Sequence, residues 1–201
     1  MDIRRVETMD VTPDDILSFM QRQRRLAYVQ RCNQLGRINE YSVAEHSYFC
    51  AFYGMILCDI VRNTEKIKIN VEEVLRRTIL HDQEESITGD ILYPMHNEFP
   101  DFAKALDEVR NAVVDKQSFA GLPTQLQGMY RKIWKEAKDN TPEGIMVSVI
   151  DKFEILMFAV QEISMGNQTF KPIFIEALRI LRLNPGFNII SDLIRSVELN
   201  F

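Results

Sequence analysis

The chain has 201 residues, 46% hydrophobic and 26% charged, and its 24 basic against 29 acidic side chains leave a net charge of −5. That length and balance fit one folded globular domain with a substantial core and exclude disordered or fibrous classes. The acidic surplus speaks against a nucleic-acid polymer as partner, because affinity for such polymers comes from Lys and Arg on phosphates. No apolar run reaches the roughly 18 residues of a membrane span, and Met1-Asp2-Ile3-Arg4-Arg5 opens no apolar leader, so a cytoplasmic protein without a membrane partner is expected.

Taken in chain order, the pattern is helical throughout. Thr12-Pro13-Asp14-Asp15 supplies a cap, a proline at the first helical position and two acids. It predicts a helix with Ile16, Phe19, Met20 and Leu26 on one face, reaching about Arg31. Cys32 to Tyr41, with Asn33, Gly36 and Asn39, reads as a loop. Ser42-Val43-Ala44-Glu45 has the capping-box form and opens a helix whose apolar positions are Tyr48, Phe49, Phe52, Tyr53, Ile56, Leu57 and Ile60, with His46 in its first turn. A third helix starts near Asn70 and turns Val71, Val74, Leu75, Thr78 and Ile79 inward. It continues through His81 and Asp82 to a stop at Thr88-Gly89, with Arg76 and Arg77 as surface charges and Glu84, about a third of a turn away from Glu85, left ambiguous.

Tyr93-Pro94 marks a loop, which also carries His96. Pro100 and Leu122-Pro123 each begin a further helix, the first with Phe102, Leu106, Val109 and Val113, the second with Leu126, Met129, Ile133 and Trp134. Thr141-Pro142-Glu143 caps the most apolar helix, Ile145 to Met165, ended by Gly166-Asn167. Two shorter helices, about 172–183 and 187–198, flank Asn184-Pro185-Gly186. No segment alternates with period two. The expectation is an all-α single domain over 1–201, with a core of about 26–170 and the C-terminal helices packed on it. Cys32, Cys50 and Cys58 are odd in number and lack CxxC spacing, so they read as core packing rather than a disulfide framework.

Chemistry concentrates in His81-Asp82-Gln83-Glu84-Glu85-Ser86-Ile87-Thr88-Gly89-Asp90. On a continuous helix Glu85, four after His81 and three after Asp82, would share their side. Imidazole nitrogen with carboxylate oxygen suits a divalent ion such as zinc, cobalt or manganese. Asp151 is the charged exception within the most apolar helix and must be paired or metal-bound. A salt bridge to a buried Arg or Lys satisfies it as well as a metal does.

The order His46, His81-Asp82, Asp151 resembles the signature of the HD-domain phosphohydrolases. Val43-Ala44-Glu45-His46-Ser47, the His81 to Asp90 run and Ile150-Asp151-Lys152 through Gly166-Asn167 are similar, more narrowly, to the bacterial 5'-deoxynucleotidase branch. The resemblance spans about Leu26 to Phe170 and implies an HD-domain helical bundle in which His46, His81, Asp82 and Asp151 hold one divalent metal (Co, Mn or Zn). It further implies Glu85 as the proton-handling acid, Asp90 beside the substrate, and Arg31 on the phosphate. Cys32 stands where relatives carry a tryptophan near sugar and base, and Arg37 is a second phosphate candidate from the same loop.

The implied activity is hydrolysis of the 5' ester of a deoxynucleoside monophosphate. A dNTP triphosphohydrolase of the phage dATP type is the alternative, for which Arg37, His96 or Lys104 would supply extra cations. A non-catalytic HD nucleotide-binding protein is a minor alternative. The resemblance also implies a homodimer or larger homo-oligomer.

Overall fold

A computed structural model describes residues 10–91 and 99–201. Helices α1 (Pro13–Gln23), α2 (Val43–Thr64), α3 (Val71–Leu80), α4 (Glu85–Thr88), α5 (Pro100–Val113), α6 (Thr124–Lys135), α7 (Pro142–Ser164), α8 (Lys171–Leu183) and α9 (Asn188–Asn200) follow in order. Among the described residues the only strand-like pairing is an isolated antiparallel bridge between Gln30 and Ser42. None of the described helices is long and apolar enough to cross a membrane.

The caps read from sequence are formed. Ser42 Oγ accepts the Glu45 amide at 3.2 Å while Glu45 returns a carboxylate to the Ser42 amide at 2.8 Å. Thr141 caps α7 by accepting the Gly144 amide at 3.1 Å. The central pair is α2 and α7, with α3, α8 and α9 packed around it. Their shared core includes Cys50, Leu57, Cys58, Val61, Met146, Ile150, Leu156, Leu181 and Ile190. Gly54 lets the two long helices approach, because a Cβ there would stand 2.9 Å from Ile150 Cδ1. At the end of α7, Gly166 takes φ +96°, and the Gly166 and Asn167 amides close onto the Ile163 and Glu162 carbonyls at 2.9 Å each.

Several expectations are corrected. The first helix does not run to Arg31: α1 ends at Gln23, a 3₁₀ turn covers Arg24–Ala27, and the chain then pairs Arg31 N–H with the Tyr41 carbonyl at 2.7 Å. That pairing closes the loop onto the start of α2. The third helix does not reach Thr88 either. It stops at Leu80, tight turns donate Gln83 N–H to Leu80 O and Glu85 N–H to Asp82 O at 3.1 Å each, and α4 starts afresh at Glu85. Glu85 therefore joins His81 and Asp82 across a turn, not along one helical face.

On α2 the apolar positions divide: Leu57 is buried, whereas Tyr48, Phe49, Phe52 and Ile56 are exposed. Ile79 also points outward, and so in part do Phe102, Val109, Leu126 and Met129. Arg77 is no surface charge. It is buried and donates to Glu73, Asp139 and the Glu136 carbonyl at 2.7–2.9 Å. Glu84 is likewise buried, accepting Trp134 Nε1–H at 2.6 Å. Tyr93-Pro94 and His96 lie outside the described residues.

Candidate active site

Three elements converge on one point. His46 comes from the first turn of α2, His81 and Asp82 from the turn after α3, and Asp151 from the middle of α7. His46 Nε2 lies 3.3 Å from His81 Nε2, 3.5 Å from Asp82 Oδ2 and 3.3 Å from Asp151 Oδ1. His81 Nε2 is 3.2 Å from Asp82 Oδ2 and 3.9 Å from Asp151 Oδ1.

The outer nitrogens decide what these inner atoms are. His81 Nδ1 sits 2.6 Å from the Thr78 carbonyl, which can only accept, so Nδ1 carries the proton. His46 Nδ1 lies 2.5 Å from a Glu154 carboxylate oxygen that also receives the Tyr41 hydroxyl. In the neutral imidazoles both Nε2 atoms then turn lone pairs toward each other and toward two carboxylates. Burial and Arg31 oppose a charge on His46, but Cys50 and Asp151 outweigh them and raise its pKa well above the usual imidazole range, so a cation at this point would take the place of a proton shared among the four acceptors. Donors bound at 2.0–2.2 Å stand about 3.0–3.5 Å apart, close to the separations seen. The set suits a divalent ion.

Among the described residues His46, Cys50 and Glu154 form a second close group. It shares His46, and burial pushes the Cys50 thiol pKa up, so it is the support of the first group rather than a separate centre.

Charges around the cluster are strongly coupled. Burial alone would raise the Asp151 carboxyl, but Lys138 and Lys152, at 2.7 and 3.2 Å, outweigh it and hold it well below the ordinary range. Asp82 is held low against the same burial by His81 and by Arg31, whose Nη1 is 2.8 Å away. Glu85 goes the other way, raised by burial and by its neighbour Asp82. One of its oxygens, Oε2, has no hydrogen-bond partner among the described residues, and Arg31 Nη1 stands 3.9 Å off. Glu84 is pushed up to about 7 by burial, with Asp82 adding to it.

A cleft of about 650 Å³ opens over the cluster, lined on its polar side by Arg31, Asp82, Glu85, Asp90, Lys138 and Lys152. Cys32 also lines it, buried, with φ +52°, and its backbone N–H donates to Asp90 Oδ2 at 3.0 Å. Arg31 lies over the Tyr41 ring, 5.7 Å from its centre. Arg37 is placed differently: its guanidinium donates to the Arg31 carbonyl at 2.5 Å, and the basic residues lining the cleft are Arg31, Arg110, Lys138 and Lys152. Lys104 lines a separate surface hollow.

Sequence reading missed Lys138, Lys152, Glu154 and Tyr41. Lys152 and Glu154 carried a signal, as further charges beside Asp151 within an apolar helix. Lys138 carried none, because it stands in an ordinary polar stretch before α7.

Residues 18–185 match the family model described as 5'-deoxynucleotidase YfbR-like. A 5'-deoxynucleotidase of Photorhabdus laumondii is 27% identical over 146 residues, 73% of this chain and 74% of that one. A Pasteurella multocida 5'-deoxynucleotidase is 28% identical over 147 residues, 73% and 75% of the two chains. In three dimensions an HD-domain phosphohydrolase from Listeria innocua superposes with a TM-score of 0.78 at 24% identity, covering 92% of this chain and 87% of its own. With its helical fold and a match over most of its length, the chain belongs to the YfbR-like 5'-deoxynucleotidase family.

Proposed function

We propose that the protein hydrolyses the 5' phosphoester of deoxynucleoside monophosphates, with His46, His81, Asp82 and Asp151 holding one divalent cation. The observation that carries this reading is the pair of Nε2 lone pairs turned on two carboxylates inside a cleft lined by Arg31, Lys138 and Lys152. When bound, such an ion supplies Lewis acidity at a phosphoryl oxygen.

The chain's own residues do the rest. Arg31, Lys138 and Lys152 offset the charge of the phosphate and orient it. Glu85, with an oxygen that has no hydrogen-bond partner among the described residues, takes the proton of the attacking water. The water oxygen bonds to phosphorus, the bond from phosphorus to the 5' oxygen breaks, and the proton passes to that oxygen. The products are a deoxynucleoside and orthophosphate. Asp90, tethered by the Cys32 amide, borders the sugar.

Purified protein stripped with EDTA and reloaded with cobalt, manganese or zinc tests this against all dNMPs, dNTPs and the matching ribonucleotides. Orthophosphate from dNMPs is the expected product. Four basic residues on one cleft also accommodate a longer phosphate chain, and triphosphate released from a dNTP would establish that second reading. No product with any metal would refute both.

The same reading places the enzyme in the cytoplasm as a homo-oligomer. Support for the assembly comes from α2, where Tyr48, Phe49 and Phe52 form an exposed aromatic stripe with Tyr48 and Phe52 stacked. Sedimentation of Phe52→Glu against the unmodified protein tests that face.

A further inference from the structure

The cleft has two unlike walls. One carries Arg31, Lys138 and Lys152 with the carboxylates; the other is largely apolar, with Ile155 from α7 and Pro172, Ile173, Ala177 and Ile180 from α8, and its one α8 carboxylate, Glu176, is paired with Arg179. Ile155 stands four residues beyond Asp151, one turn further along the same side of α7. The short Gln168–Phe170 turn folds α8 back along α7, so the cavity runs from the carboxylate cluster down the α7/α8 seam.

Helix α8 has more apolar surface than the core takes up. Leu178 and Leu181 are buried in the main core, and Ala177 is buried at its edge. Ile173 and Ile180, four residues before and three after Ala177, stay half-buried and line the cleft; Ile173 also packs against the smaller core of Cys32, Tyr41, Phe158 and Phe170, whereas Ile180 joins neither core. A core-facing stripe alone would need only one of these two rows. The second row has a shape of its own: a small alanine between two branched side chains leaves a notch, with Ile155 opposite. An apolar notch at one end and fixed cations at the other match a ligand with a flat apolar body and one anionic terminus.

We propose that this α7/α8 wall, formed by Ile155, Ile173, Ala177 and Ile180, is the seat of the nucleobase. It takes the place of an aromatic platform: the base lies on branched aliphatic side chains, held by dispersion and exclusion of water. The assignment rests on the deoxynucleotidase reading for the orientation of the ligand, phosphate toward Lys138 and base toward Ile180.

The test compares Ile173→Asn and Ile180→Asn with Ile175→Asn, a change on the same helix at a side chain 63% exposed. Two quantities are read: kcat/KM for a dNMP relative to deoxyribose 5-phosphate, which lacks a base, and the affinity of metal-stripped protein for the unphosphorylated deoxynucleoside. The cleft variants are expected to lower the ratio about tenfold, mainly through KM, and to weaken deoxynucleoside binding by a similar factor. Ile175→Asn is expected to move either quantity less than about twofold. Should an asparagine variant fail to fold, Ile173→Ala and Ile180→Ala read the same ratio.

An unchanged ratio and unchanged binding in the cleft variants would overturn the base seat while leaving the hydrolase intact. If the unmodified protein turned over no dNMP, the hydrolase reading would fall, and deoxynucleoside binding would still decide the seat.

Discussion

Helix α7 buries two glutamates eight residues apart, Glu154 in its middle and Glu162 in its last turn, and they serve opposite ends. Glu154 receives two side chains, the Tyr41 hydroxyl and His46 Nδ1, and through the second it sets which face of an imidazole is bare. Glu162 receives mostly backbone and amide donors: Ile38 N–H at 2.8 Å, Asn39 N–H and Nδ2 at 2.9 Å, and Asn167 Nδ2 at 2.6 Å. It clasps the far end of the loop that begins at Arg31. The same residue type at the same burial thus orients chemistry in one place and ties down chain in the other. The difference lies wholly in what the fold brings to it.

If that division is right, changes at the middle of α7 and its partners alter metal and rate with little loss of stability, while changes at the end do the reverse. Asp82→Ala should abolish metal retention after dialysis and lower turnover by about a thousandfold or more; metal content by atomic absorption checks it. Glu85→Gln should keep the metal and lose about 10²–10⁴ in kcat. Equal metal loss in both variants would contradict the separate roles.

Glu154→Gln should come next, weakening metal affinity by about 10–100-fold. The cobalt-loaded protein should also show a changed d–d spectrum, which a purely structural effect would not produce. Arg31, Lys138 and Lys152 are untouched by this change, so phosphate affinity of the reloaded enzyme is the internal control.

Glu162→Ala carries the smallest effect on chemistry and acts on stability, costing about 2–3 kcal/mol because buried donors lose their acceptor. Denaturant unfolding measures it, with metal affinity expected to stay as in the unmodified protein. The pH dependence has a definite sign. Burial alone would raise the Glu162 carboxyl, but hydrogen bonds from Ile38, Asn167 and Asn39 outweigh it and hold the group below 4.5. Its contribution is therefore complete above that value and drains as pH falls through the lowered folded-state pKa. Glu162→Gln should flatten this part of the acid limb, and an unchanged limb would sink the assignment.

Much of the fold was legible because its signals are local. The Ser42–Glu45 box and the Thr141-Pro142 start lie within four residues of the helix ends they make. The all-helical class and the apolar character of α7 follow from short-range periodicity in the same way. The break after Leu80 was not legible, since residues 81–88 are acceptable helix formers. What ends the helix there is the tertiary demand that His81 and Asp82 face His46 and Asp151. The aromatic stripe on α2 misled for a related reason: periodicity tells that a face is apolar, not whether this chain covers it.

The family signature, the caps and the residues that suit a divalent ion can all be read along the chain. Helix packing, in contrast, sets Lys138 and Lys152 on Asp151, puts Glu154 and Tyr41 behind His46, turns Arg37 to the backbone, and brings α8 to the largely apolar wall of the cleft. Capping and periodicity act over a turn or two of chain. By contrast, Tyr41 to Glu154 and Arg31 to Asp82 join residues 113 and 51 positions apart, and such neighbours are chosen by how whole helices pack.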